Sequence, residues 1–196
     1  MLKDTDIHWF PLRINHSSPA LLKTMKDRLD QEDAIEQTYV PLTFRRANAT
    51  SMDFAPAITN YIFIRITLQQ LRAIKGNKAM YEPLRYVMHP VYDQDFNKRS
   101  EVLYVTDKRM DDFIRVVSEA NEQVIFLSNL KFACKPGQKV QITEGPFAGV
   151  KGVIKSYKKH LCVIIPIENV AAVAITGIHK KHLRYLPDDE YEEPAC

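Results

Sequence analysis

K-V-Q-I-T-E-G-P-F-A-G-V-K-G-V-I-K-S-Y, residues Lys139 to Tyr157, is the stretch in which turn chemistry, strand period and charge all agree. Val140 and Ile142 alternate with polar neighbours, as a half-buried strand requires. Gly145-Pro146 then breaks the strand, Gly149 and Gly152 admit backbone with positive φ, and Val150, Val153, Ile154 and Tyr157 resume an extended apolar pattern. The spacing predicts two strands of a small barrel joined by a tight arc.

The chain's positive charge gathers around that arc. Residues 131 to 187 hold 10 Lys/Arg against 2 Asp/Glu, residues 1 to 130 are balanced at 17 and 17, and residues 188 to 196 carry 5 acidic groups and no basic one. A module so charged suits nucleic-acid phosphate or an acidic protein face. With 196 residues and 45% hydrophobic content the chain has room for one large domain or two small ones, each with a packed core. Cys134, Cys162 and Cys196 are odd in number and contain no C-x-x-C, which excludes a disulfide framework and a zinc ribbon and leaves incidental thiols. The first residues lack a basic region followed by a sustained apolar run, so a cytoplasmic location is the expectation.

Moving towards the N-terminus, Glu119 to residue 131 reads as a linker, within which Val124 to Leu127 is apolar enough to pack on one domain or pair as a strand. Ahead of it, Thr106 caps a helix whose Met110, Phe113, Ile114 and Val117 face inward. Asn60 to Leu68 is the strongest strand of this half. Ile62, Ile64, Ile66 and Leu68 share one face, and Tyr61, Phe63, Arg65 and Thr67 the other. Gln69 to Lys75 is a short helix stopped by Gly76. Leu84 to Met88 and Val102 to Val105 are further strands. Ile35 to Phe44 is a strand interrupted by Pro41, and Arg45 to Pro56 reads as a polar loop with Arg45 and Arg46 at its tip. Trp9 to Ile14 opens the chain as a strand, with Pro11 suggesting an edge or a bulge. Ser18 and Pro19 begin a helix with Leu22, Met25 and Leu29 on one face. Beyond the glycine arc, Leu161 to Ile167, Val170 to Ile175 and a short strand near Leu183 complete a second β-rich module, and the tail from Asp188 is too polar to fold alone.

The stretch G-P-F-A-G-V-K-G after K-V-Q-I-T-E resembles the KOW motif, with Gly145, Pro146, Phe147, Gly149 and Gly152 as its members; the resemblance implies Phe147 on the loop tip and Gly152 as the terminal glycine. The form with G-P-F is most similar to the C-terminal domain of NusG-type transcription factors. The earlier half resembles the N-terminal domain of the same family through Trp9-Phe10, Val40-Pro41 and Tyr61-Ile62-Phe63-Ile64, although Thr59-Asn60 stands where the family has Pro-Gly. Together the two likenesses cover about nine-tenths of the chain in the family's order. They imply an α+β fold: an N-terminal α/β sandwich with an antiparallel-rich sheet over residues 1–118, a linker over 119–131, a small KOW β-barrel over 132–187 and an acidic tail over 188–196.

The same resemblance implies a transcription elongation or antitermination factor that is not an enzyme, uses no cofactor or metal, acts as a monomer and touches no membrane. Its partner would be the clamp helices of RNA polymerase, met through Trp9, Phe10, Ile58, Tyr61 and Phe63. Nucleic acid of the elongation complex or an acidic protein would be met through Arg45, Arg46, Lys158, Lys159, Lys180 and Lys181. General NusG proteins carry an aromatic residue with Gly-Arg in the third KOW strand, a segment used for the ribosome or Rho. Here that strand reads V-I-I-P-I-E-N-V-A-A-V-A-I, which is similar instead to the UpxY group of paralogues that antiterminate long surface-polysaccharide operons. Two alternatives stay open at this level: a general NusG coupling polymerase to Rho or the ribosome, and a KOW-type ribosomal RNA-binding protein.

No catalytic constellation competes with these readings. Ser17-Ser18 beside His16 is a helix cap before it is a nucleophile, and the sequence has neither a glycine-elbow serine nor a phosphate loop. His179 and His182 lack a third ligand nearby and flank Lys180-Lys181, which reads as a charged turn.

Overall fold

The computed structural model describes residues 3–16, 18–46, 52–58, 60–76, 78–94, 96–119, 123–127, 137–167 and 170–191, with backbone alone for 44–46, 52–55 and 78. In chain order the elements are β1 (Ile7–Ile14), α1 (Pro19–Leu29), β2 (Gln37–Tyr39), β3 (Leu42–Arg46), β4 (Met52–Pro56), β5 (Tyr61–Thr67), α2 (Leu68–Gly76), α3 (Lys78–Tyr81) and β6 (Leu84–Tyr86). There follow β7 (Met88–Tyr92), β8 (Lys98–Val102), α4 (Asp107–Ser118), β9 (Val124–Phe126), β10 (Gln138–Ile142), β11 (Lys151–Tyr157), β12 (His160–Ile167), β13 (Ala171–Thr176) and β14 (Leu183–Tyr185). The fold is α+β with antiparallel sheets, and among the described residues no helix is long and apolar enough to cross a membrane. The chain divides into two compact units: residues 1–41 with 58–107, and residues 42–57 with 108–196.

In the first unit four strands lie in the order β2-β5-β1-β6. The β1–β5 register pairs Phe10 with Ile64 and Leu12 with Ile62, so the apolar alternations of both strands fall on one face. That face packs with Leu22, Met25 and Leu29 of α1 and Leu71 of α2 into a buried cluster. Burial of each such side chain contributes about 1.5–3 kcal/mol. α1 starts where the sequence places it, because the Ser18 hydroxyl accepts from the Leu21 N–H at 3.4 Å and Pro19 occupies the first turn.

The position of Pro11 corrects the sequence reading, since β1 is an inner strand. The Trp9 N–H donates to Val105 O at 3.1 Å on the edge away from β5, and Pro11, two residues on, faces the same edge. The β6 ladder begins only at Leu12, so the missing donor falls in the gap between the Val105 bridge and β6. A second correction concerns residues 84–105. β6 stops at Tyr86, and β7 and β8 form a separate hairpin whose turn is held by Asp93, with its Oδ1 accepting from Asn97 N–H at 2.9 Å.

In the second unit β3 and β4 form a hairpin from Leu42↔Pro56 to Arg46↔Met52, so part of the expected polar loop is a strand. Six strands lie in the order β14-β10-β11-β12-β13-β9. The apolar segment after the helix does pair, with Phe126 opposite Val173 and Val124 opposite Ile175. Cys162 to Ile167 of β12 and Ala171 to Ile175 of β13 are buried without alternation, which requires cover on both faces and explains their continuous apolar spelling. In α4 the buried residues are Met110, Phe113, Val116 and Val117, so Val116 stands in place of the expected Ile114. Asp188–Glu190 turns as a short 3-10 helix tied down by Lys139 to Asp188 at 2.8 Å and Arg184 to Glu190 at 2.9 Å, so basic partners order the start of the acidic tail. The outer strands of both larger sheets, β2, β6, β14 and β9, have three residues each.

Candidate functional site

The glycine stretch folds as a compact arc between β10 and β11. Gly149 N–H donates to Ile142 O at 2.7 Å, Ala148 N–H to Gly145 O at 3.1 Å, and Val150 N–H to Phe147 O at 3.1 Å. Gly145 and Gly149 have φ of 85° and 92°, a region that side chains with a Cβ rarely adopt. Gly152 serves differently from the expectation: a Cβ there would stand 2.7 Å from Ile164 O and 2.7 Å from Val163 Cγ1, so it is required by close strand approach. Phe147 does not stand out from the tip. It is 3% exposed and anchors the arc from below.

Three polar residues that the sequence reading overlooked hold this region from α4. Arg115 donates to Ala148 O at 2.8 Å and Pro146 O at 3.0 Å, Asp112 accepts from the Lys151 N–H at 3.3 Å, and Arg109 donates to Pro166 O at 2.9 Å. Their spacing of three places them along one helix face. The signal was present as R-x-x-D-x-x-R beside the apolar stripe. Burial pushes the Asp112 carboxyl above its usual range, against the Lys151 N–H and nearby cations that favour its charge.

Four of the six basic residues expected to meet a partner lie on two turns of this unit. Lys158 and Lys159 form the two-residue connection between β11 and β12, with Tyr157 paired to His160. Both are exposed and both have positive φ, 49° and 68°. The Lys158 ammonium lies 5.5 Å from the Tyr157 ring centroid. Lys180 and Lys181 are exposed on a 3-10 turn, where His182 Nδ1 lies 2.9 Å from a Glu144 carboxylate oxygen. Arg45 and Arg46 lie on β3, and their side chains are outside the described atoms.

In the first unit the expected docking residues separate by exposure. Trp9, Phe10 and Phe63 are buried, at 2%, 0% and 0%, so they offer no side-chain surface to a partner. Phe63 packs beside Tyr39 with ring centroids 6.4 Å apart. Ile58 and Tyr61 are half-buried and retain accessible surface. Tyr61 lies opposite Arg13 in the β1–β5 register, and Arg13 lies opposite Arg85 in the β1–β6 register. Burial raises the Tyr61 phenol, while the Arg13 charge opposes that shift. Further along the same face Arg65 donates to both carboxylate oxygens of Asp107, at 3.0 and 2.8 Å, and also meets Glu36. Those hydrogen bonds hold the Asp107 carboxyl below the usual carboxylate range, against partial burial.

Cys162 is buried and its thiol is pushed up by desolvation, the opposite of an activated nucleophile. Cys134 and Cys196 lie outside the described residues, as do Ser17 and the tail beyond Tyr191. Compared with the models of known protein families and with curated protein sequences, the chain matches none.

Proposed function

We propose that this protein is a transcription elongation or antitermination factor of the NusG type that binds RNA polymerase through its N-terminal domain and suppresses pausing or termination. The observation that carries the reading is the glycine stretch. Each of its signature glycines has a physical requirement, positive φ at Gly145 and Gly149 and close packing at Gly152, inside a β-rich unit whose residues 131–187 hold 10 Lys/Arg against 2 Asp/Glu. An arc of this spelling and geometry in a chain whose other unit is α+β supports the family resemblance better than either half alone.

The action is mechanical. An N-terminal domain clasped to the polymerase clamp disfavours clamp opening, and a preference of about 1.4 kcal/mol for the closed state shifts a pause equilibrium tenfold. Ile58 and Tyr61 are the apolar anchors, with Arg13 beside Tyr61 for an acidic group of the partner. Exposed Lys158, Lys159, Lys180 and Lys181 supply a second, salt-sensitive contact to nucleic acid. Specialisation for a particular operon, such as one for surface polysaccharide, is supported by β13. Ala171 to Ile175 are buried, so this strand presents no arginine or aromatic side chain to Rho or a ribosomal protein.

The test is affinity purification of the tagged chain, which should recover core RNA polymerase in excess of ribosomes. Ile58→Ala with Tyr61→Ala should abolish that recovery with an unchanged circular-dichroism spectrum, each truncation removing about 1–3 kcal/mol of binding. Recovery of ribosomes alone, or undiminished polymerase binding by the folded double variant, overturns the proposal.

A further inference from the structure

Beside the glycine arc the second unit has a cleft with a cavity volume of about 40 Å³ whose charged lining is Lys108, Arg109, Asp112, Lys151 and Glu190, with Tyr191 among the remaining walls. Its two acids already have partners. Asp112 Oδ2 accepts from the Lys151 N–H at 3.3 Å, and Glu190 Oε2 accepts from Arg184 Nη2 at 2.9 Å.

The cations are left in excess. Arg109 uses Nη2 on Pro166 O at 2.9 Å, and the Lys151 ammonium donates one hydrogen to the Glu190 carbonyl at 2.7 Å. Lys108 and Lys151 line the same cleft, where the charge of each weighs on the other. Both are donors, so neither can satisfy the other. Among the described residues no carboxylate lies within ion-pair distance of either. Desolvation, followed by the nearness of Lys108 and opposed by Glu190, pulls the Lys151 ammonium below its usual range. Two like charges thus share the lining of one cleft, a setting that favours an anion as ligand.

We infer that this cleft is an oxyanion site that takes a phosphate group between Lys108, Lys151 and Arg109. A phosphate has several acceptor oxygens in a tetrahedral array and can accept from two ammonium groups and a guanidinium at once, whereas a carboxylate offers two oxygens in one plane. The cleft has room for a single small group and opens to solvent, so the phosphate can carry a nucleoside outside it or belong to a nucleic-acid strand. Arg115 and Arg109 fix α4 to the backbone around it, which places Lys108 opposite Lys151 before any ligand arrives. This assignment stands apart from polymerase binding, because it uses none of the residues invoked for that contact.

The experiment is titration of the full chain with sodium phosphate, followed by the Lys151 amide resonance, against sodium chloride at equal ionic strength. A parallel titration uses a short single-stranded RNA. A saturable phosphate shift is expected, weakened about tenfold by Lys108→Gln or Lys151→Gln and retained within about threefold by Lys151→Arg. Lys108 is exposed, so Lys108→Gln keeps the test valid should changes at Lys151 disturb folding. Response to both ligands through the same lysines supports a general phosphate site. Response to RNA alone through these lysines identifies chain phosphate as the source. Response to free phosphate, with RNA binding untouched by either variant, identifies a small phosphate ligand. A phosphate response no greater than that to chloride together with lysine-independent RNA binding, or equal affinity in the Lys108→Gln, Lys151→Gln double variant, overturns the inference.

Discussion

Strand β11 is entered and left by two turns that solve the same backbone problem in opposite ways. The arc before it places glycine at its two positive-φ positions, Gly145 and Gly149. The turn after it places lysine at both, Lys158 and Lys159, in the primed hairpin geometry that Asn-Gly adopts with least strain. A residue with a Cβ is about 1–2 kcal/mol less stable in that region. The first turn is therefore optimised for a close-packed fold, whereas the second tolerates strain to hold two ammonium groups at an exposed tip. Such strain is a pointer to function when the strained side chains carry chemistry.

The comparison is broken most directly at Gly152. Alanine there must displace Ile164 O and Val163 together, and should cost about 3 kcal/mol in chemical denaturation followed by circular dichroism. A loss below about 1 kcal/mol would mean that the strands separate easily and that close packing does not govern this side of β11.

The lysine turn gives an intermediate effect of the opposite sign. Lys158→Asn with Lys159→Gly should raise stability by about 1–2 kcal/mol and weaken salt-dependent RNA binding, measured on the same sample. Gain in stability without loss of binding would separate the strain from the contact. No gain would show that the lysines are not strained.

Arg115→Met sharpens the comparison at the smallest scale. It removes the donors to Ala148 O and Pro146 O, and because these carbonyls regain water the loss should be about 0.5–1.5 kcal/mol. Hydrogen exchange at Ala148 and Gly149 should quicken while that in β12 stays unchanged. Uniform acceleration would show that the arginine supports the whole sheet.

Features set by neighbours in the chain were legible, and features set by distant partners were not. Ser18-Pro19 is a local cap, so α1 and its buried Leu22, Met25 and Leu29 followed from spacing alone. The two faces of β5 followed from its period of two. Pro11 was harder, since its tolerance depends on where β6 and Val105 stop. Val116 replaces Ile114 in the core because neighbouring positions at one border of an amphipathic stripe are distinguished only by what the helix meets. The same limit applies to the candidate docking face. Trp9, Phe10, Tyr61 and Phe63 share an aromatic spelling, and only tertiary cover separates buried Phe63 from half-exposed Tyr61. The α4 stripe of Arg109, Asp112 and Arg115 was written in the sequence at regular spacing, but solvated helix faces have the same composition.

The four outer strands of the two larger sheets are only three residues long, and Pro41, Pro83 and Pro187 lie within two residues of β2, β6 and β14. An incoming chain could form about two hydrogen bonds along such a margin, too few to offset the entropy of ordering an extended segment. Neither of these sheets is thus a template for strand exchange or cross-chain polymerisation. Recognition at their margins must proceed through side chains, and crowding many copies onto one template leaves these sheets as separate molecules.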